Sequence, residues 1–147
     1  MSAIDIALPL IKKSEGCRLG AYRPVPGDPW TIGWGATGEG IQRGTVWTQE
    51  QADADLQRRV TDLCAQVREL ITAPVNDYQL GAMIDLAYNI GIGNFSKSTL
   101  LTLFNAGSAL RAADEFLKWN KSHGVVLPGL VSRREAERVT YLRGVVV

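Results

Sequence analysis

Three residues in the first quarter of the chain combine types and spacings that could do chemistry: Glu15, Asp28 and Thr31. Glu15 follows an apolar run with helical spacing (Ile4, Ala7, Leu8, Ile11) and precedes Gly16, so it falls at a helix end. Asp28 is the acidic residue of a dense turn signal, Pro24-Val25-Pro26-Gly27-Asp28-Pro29. Thr31 belongs to the β-forming stretch Trp30-Thr31-Ile32-Gly33-Trp34. A carboxylic acid at a helix end, with a second carboxylate on a hairpin, suits cleavage of a glycosidic bond. One acid protonates the leaving oxygen, and the other activates water or steadies the developing cation. Partial burial favours the protonated form that such an acid needs. The Thr31 hydroxyl could position the water, and Tyr22, Trp30, Trp34 and Tyr88 could stack on sugar rings. Each residue also has a plainer use: a solvated glutamate, an aspartate serving its turn, a β-forming threonine, packed aromatics.

The elements that must position these residues can be read from hydrophobic period and capping signals. A first helix is expected over 4–14, with Pro9 as the objection, since an interior proline costs about 3 kcal/mol. Proline is tolerated in a first turn, so this helix is expected to begin late. Residues 17–44 read as a small sheet lobe without a core of its own. Thr48-Gln49-Glu50-Gln51 is a capping box opening a helix to about Thr72, with Ala52, Leu56, Val60, Leu63, Cys64, Val67 and Leu70 on one face. Pro74 ends it, and Asn76 caps a largely apolar helix from Asp77 to about Ile90, broken by Gly91-Ile92-Gly93-Asn94. Further helices are expected over Lys97 to Asn105, Ser108 to Trp119, and Pro128 to about Arg143, with Pro128 suited to a first turn. The fold class expected is α+β and predominantly helical. A small β-hairpin lobe (about 17–44) and a larger helical lobe (1–16 and 48–147) make one domain, joined by the long helix.

Composition excludes several classes. With 147 residues the chain can bury its own core without staples. A net charge of +1 supplies no global field for nucleic acid or membrane, so neither is an expected partner. Asp53, Asp55, Asp62 and Glu69 in one segment, and Arg133, Arg134, Arg138 and Arg143 in another, read as solvated helix faces. Cys17 and Cys64 lack any CxxC partner and His123 is the single histidine, so no metal is expected, and a Cys17–His123 catalytic pair lacks any signature. The run from Ile4 to Ile11, interrupted by Asp5 and Pro9, is too short and polar for a signal-peptide core or a membrane span. Accumulation in the cytoplasm with reduced thiols is therefore expected.

Several blocks of sequence, in order along nearly the whole chain, carry a resemblance. Glu15-Gly16-Cys17-Arg18-Leu19, Ala21-Tyr22 and Trp30-Thr31-Ile32-Gly33-Trp34-Gly35-Ala36-Thr37 resemble the T4-type phage lysozyme (endolysin, muramidase) family. The likeness continues through Ala82 to Gly91, Asn94 to Leu100, and Leu127 to Arg138. What the resemblance implies is a lysozyme-like fold and hydrolysis of the β-1,4 bond between N-acetylmuramic acid and N-acetylglucosamine in peptidoglycan. It implies no cofactor, a monomer, and an enzyme that waits in the host cytoplasm until a holin opens the inner membrane. Glu15 matches that family's general acid and Thr31 its water-positioning threonine. Tyr88, Asn89 and Ser98 match positions that line its glycan groove, with Trp34 as a further stacking residue. Arg133 or Arg134 matches an arginine that pairs with the acid, Arg134 being the better match locally. Two departures matter. The family's second catalytic residue stands nine positions after the acid, where this chain has Pro24, and Asp28 is the nearest carboxylate to take the role. The family's histidine after the second glycine is Ala36 here. The rival readings are a lytic transglycosylase, which cleaves the same bond without water, and a cell-wall-binding module without catalysis.

Overall fold

The computed structural model describes residues 1–145, which form seven α-helices, a short 3-10 turn and two small antiparallel sheets. They divide into two compact units: Ile11–Arg59, and Met1–Leu10 with the chain from Val60 on.

Helix α1 (Ala3–Glu15) covers the expected span 4–14 and runs through Pro9, so the late start that the proline suggested does not occur. Ser2 and Asp5 cap it reciprocally, Asp5 N donating to Ser2 Oγ and Ser2 N to Asp5 Oδ2, both at 3.1 Å. Ala3, Ile6, Ala7 and Ile11 form its buried stripe. Burial of Ile6 and Ile11 contributes about 1.5–3 kcal/mol each, which outweighs a proline penalty of about 3 kcal/mol. Pro9 itself lies on the exposed side. Gly16, at φ +66°, ends the helix as expected, its N–H donating to Lys12 O at 3.2 Å.

In the unit Ile11–Arg59, strands β1 (Arg18–Tyr22) and β2 (Thr31–Gly33) pair antiparallel, Arg18 opposite Gly33 and Tyr22 opposite Thr31. Five residues therefore face three, and the register shifts between the two ends. A third rung follows, with Ala21 N donating to Thr45 O and Trp47 N to Leu19 O, both at 2.8 Å. The β stretch expected through Trp34 stops at Gly33, whose φ of +62° bends the chain. Trp34 and Gly35 then form a tight turn closed by two backbone bonds between Ile32 and Ala36 (2.9 and 2.8 Å). Thr48 caps helix α2 (Gln49–Leu70) through the expected box: Gln51 N donates to Thr48 Oγ1 at 3.1 Å, and Thr48 N to Gln51 Oε1 at 2.8 Å. Buried apolar residues of this unit are Ile11, Ile32, Ala36, Ala52 and Leu56.

In the other unit, helix α3 (Asp77–Ile90) has Asn76 as its cap as expected, extended by Gln79 into a full capping box, and is buried without interruption from Gln79 to Ala87. It packs along helix α7 (Pro128–Arg143), which starts with its proline in the first turn. Gly81 lets α1 approach closely, since a Cβ there would lie 2.6 Å from Ile6 Cγ2. Between α3 and α7 the chain makes short helices α4 (Ile92–Ser96), α5 (Thr99–Asn105) and α6 (Ala109–Glu115), then a 3-10 turn at Phe116–Lys118. Gly91 breaks α3 after Ile90 as expected, and α4 opens directly beyond it. Two expectations are corrected here: the helix expected from Lys97 starts at Thr99 because Ser98 is its cap, and the helix expected to reach Trp119 loses its α-form after Glu115. Strands β3 (Lys121–Ser122) and β4 (Val125–Val126) form a hairpin that periodicity did not disclose. Its two-residue turn has positive φ at both His123 (+51°) and Gly124 (+79°), as right-twisted hairpins require. Phe104 and Phe116 meet Tyr141 edge-on, at 6.3 and 5.3 Å between ring centres.

Candidate active site

Glu15 is the last residue of α1 and is half-exposed. Its carboxyl lies against the backbone of the Trp34–Gly35 turn: a side-chain carbon at residue 35 would come within 2.9 Å of Oε1 and 3.3 Å of Cδ. Gly35 also sits at φ +92°, a conformation other residues adopt only under strain. This glycine is thus required twice. Gly35→Ala should destabilise the fold by about 1–3 kcal/mol and lower turnover further by displacing the carboxyl, measured as urea unfolding beside kcat. Wild-type turnover in the alanine variant would show that this seat does not matter.

Thr31 is buried, and its hydroxyl donates to Pro29 O at 3.1 Å. With the hydrogen so placed, the Oγ1 lone pairs remain as acceptors. Asp28 is half-buried in the turn, its backbone N–H donating to Val25 O at 3.0 Å. Pro24, at the family's second catalytic position, is exposed. Ala36 is fully buried opposite Ile32. Trp34 donates its indole N–H to Asp53 Oδ1 at 2.8 Å, and Gln49 Nε2 donates to the same oxygen at 3.0 Å. These two bonds, the indole's first, hold the Asp53 carboxyl below the usual aspartate range. The Lys12 ammonium lies 5.4 Å from the centre of the Trp34 ring. Glu15, Asp28, Thr31 and Trp34 therefore all belong to one unit.

The remaining expected site residues belong to the other. Tyr88 and Asn89 lie in the last turn of α3, both half-buried. Ser98 is buried as the N-cap of α5, donating to Phe95 O at 2.7 Å and accepting from Leu101 N at 3.2 Å. Arg133 grips Asp85 with Nε (3.1 Å) and Nη2 (2.8 Å). Arg134, with no exposed surface, donates to Glu137 Oε2 and Asn89 Oδ1, both at 2.8 Å, and to the Trp119 carbonyl at 3.3 Å. Its Nε stands 2.7 Å from Glu137 Oε1, yet neither atom makes an aligned hydrogen bond among the described residues. Burial lowers the Arg134 pKa, and burial together with the facing Asp85 carboxyl pushes Glu137 well above the usual glutamate range. Asn89 also lines a cavity of about 350 Å³ with Ile90, Trp119, Lys121 and Leu130 among its walls.

Sequence reasoning missed the Gly35 seat, the Asp53 and Gln49 contacts, and the Trp119–Lys121 wall. The run of glycines at 33, 35, 38 and 40 was a visible signal. The others depend on contacts between distant segments. Among the described residues no group of three or more His, Cys, Asp or Glu side chains could hold a metal ion, and no helix is long and apolar enough to cross a membrane.

A predominantly helical α+β chain whose first helix ends in an acid, seated on a glycine turn of a small sheet, is lysozyme-like. The chain belongs to the phage lysozyme family, whose profile matches residues 12–137. It is 41% identical over 145 residues to an endolysin of Bacillus phage B103, covering 98% of this chain but only 55% of that protein. It is 40% identical to an endolysin of Acyrthosiphon pisum secondary endosymbiont phage 1, covering 96% of this chain and 98% of that one. Among solved structures, an endolysin from Escherichia coli O157:H7 phage FAHEc1 is similar at 32% identity and a TM-score of 0.85, over 100% of this chain and 97% of that chain.

Proposed function

We propose that this chain is a muramidase that hydrolyses the β-1,4 bond between N-acetylmuramic acid and N-acetylglucosamine in bacterial peptidoglycan. The seating of the Glu15 carboxyl on Gly35, at the end of a helix in a chain of this family, is the observation that carries the reading. Glu15 protonates the leaving glycosidic oxygen. Thr31, its own hydrogen given to Pro29 O, accepts a hydrogen from the attacking water and so turns a water lone pair toward the anomeric carbon. Asp28 takes the second carboxylate's part, accepting the water's proton or steadying the oxocarbenium-like transition state. Trp34 in the one unit, and Tyr88 and Asn89 in the other, are the glycan-contacting residues of this reading, with Ser98 in support as the cap of α5. Arg133 and Arg134 support it by fixing α7 to α3, the first through a buried ion pair with Asp85 and the second through a hydrogen bond to Asn89. Release to the cell wall is through a holin-opened inner membrane, and the working form is a monomer without cofactor.

Asp28→Asn tests the assignment that rests least on family pattern. Clearing of outer-membrane-permeabilised Gram-negative cells should slow by about 100-fold relative to wild type, with folding intact. Near-normal clearing would remove Asp28 from the mechanism and leave a single-carboxylate reaction.

A further inference from the structure

Glu15 closes its own helix, and its carboxyl lies against the turn that carries Gly35. Beyond it come Gly16 at φ +66° and Cys17, which leads into β1 at Arg18; across from its carboxyl stands a turn whose Trp34 is flanked by Gly33 at φ +62° and Gly35 at φ +92°. Two glycines on either side of one residue leave that turn weakly defined by backbone preference. A general acid must be held within about 0.5 Å of its productive position, so contacts that steady this turn bear on the acid.

The first two turns of α2 supply the fixing groups. Asp53 Oδ1 receives the Trp34 indole N–H, and Gln49, one turn earlier on the same helix face, donates to the same oxygen. The Gln49 amide also reaches Cys17 Sγ, at 3.7 Å, two residues past the acid. Lys12, one turn before the acid on α1, covers the Trp34 ring. One carboxylate oxygen thereby ties together the residue before Gly35, the strand that leaves Glu15, and, through the ring, the helix that ends in Glu15.

Resting on the reading of Glu15 as the general acid, we propose that Asp53 is a positioning residue for that acid, acting through a Trp34 latch that holds Gly35 against the carboxyl. Asp53 does no proton transfer itself. It fixes the turn, and the turn fixes the acid. A misplacement on the order of 1 Å can cost about 100-fold in rate, so partial loosening by loss of this exposed latch should lower kcat roughly tenfold.

The test measures kcat, KM and thermal unfolding on solubilised peptidoglycan for Asp53→Ala, Asp53→Asn, Trp34→Phe, the Asp53→Ala/Trp34→Phe double variant and Glu15→Gln. Asp53→Ala should lose roughly tenfold in kcat, in line with a loosened acid, with KM and Tm close to wild type. Asp53→Asn keeps an oxygen acceptor for the indole and should restore most of that rate. Trp34→Phe keeps the ring and removes the N–H, so it should match Asp53→Ala, and the double variant should fall no further than either. Wild-type kcat in Asp53→Ala, or additive losses in the double variant, beside an inactive Glu15→Gln, would overturn the latch alone. An active Glu15→Gln would overturn the assignment of the acid and the latch with it.

Discussion

Glu15→Gln should lower the release of new reducing ends from purified peptidoglycan by about 10²–10⁴-fold, the usual worth of a general acid. Glutamine keeps the shape of the side chain and its seat on the Gly35 turn, but it has no proton of the right acidity to give the leaving oxygen. Because glutamine matches glutamate in size at this half-exposed helix end, the variant should still fold. The combination is diagnostic: binding and folding retained, turnover lost. Activity within tenfold of wild type would move the acid elsewhere in the chain.

The second large effect lies away from the acid. Arg134→Met should destabilise the protein by about 3–5 kcal/mol, because it leaves the buried Glu137 carboxyl without its partner. Glu137 and Arg134 are both fully buried, and the same guanidinium serves Asn89 Oδ1 and the Trp119 carbonyl. Methionine fills much of the volume and satisfies none of these acceptors. Urea unfolding reads the loss directly, and an unchanged midpoint would show that the cluster contributes nothing net.

Glu137→Gln separates charge from shape in the same cluster. Burial and the Asp85 carboxyl raise the folded-state pKa of Glu137 above its unfolded value, so the folded chain holds this proton more tightly. The corresponding stability is present below the ordinary glutamate range and is lost as pH rises through the raised folded value. Glu137→Gln should therefore flatten that part of the decline in unfolding free energy between wild type and variant. A difference between the two proteins that does not vary with pH would contradict this account.

Much of the architecture was legible because its signals are local. The Thr48 and Asn76 boxes, the stripe from Ala52 to Val67, Pro128 and Gly16 each act within one helical turn, and the helices they mark stand where expected. Where local signals conflicted, packing decided. Pro9 argued for a late start to α1, but the Ser2–Asp5 cap and the burial of Ile6 and Ile11 carry the helix through it. The β3–β4 hairpin was hidden because strands of two residues have no period to read, although His123-Gly124 between β-branched and polar neighbours was a turn signal.

By itself, then, the chain's order of residues determined the helical framework, the family pattern and the candidate for the acid, since propensity, capping and motif spacing are properties of neighbouring residues. Tertiary structure alone decided what each polar side chain answers to. Asp53 meets Trp34 across 19 positions, Arg133 meets Asp85 across 48, and Arg134 meets Asn89 across 45. Such pairings depend on how helices pack, and a hydrogen bond with a reach of about 3 Å leaves no trace in spacing along the chain.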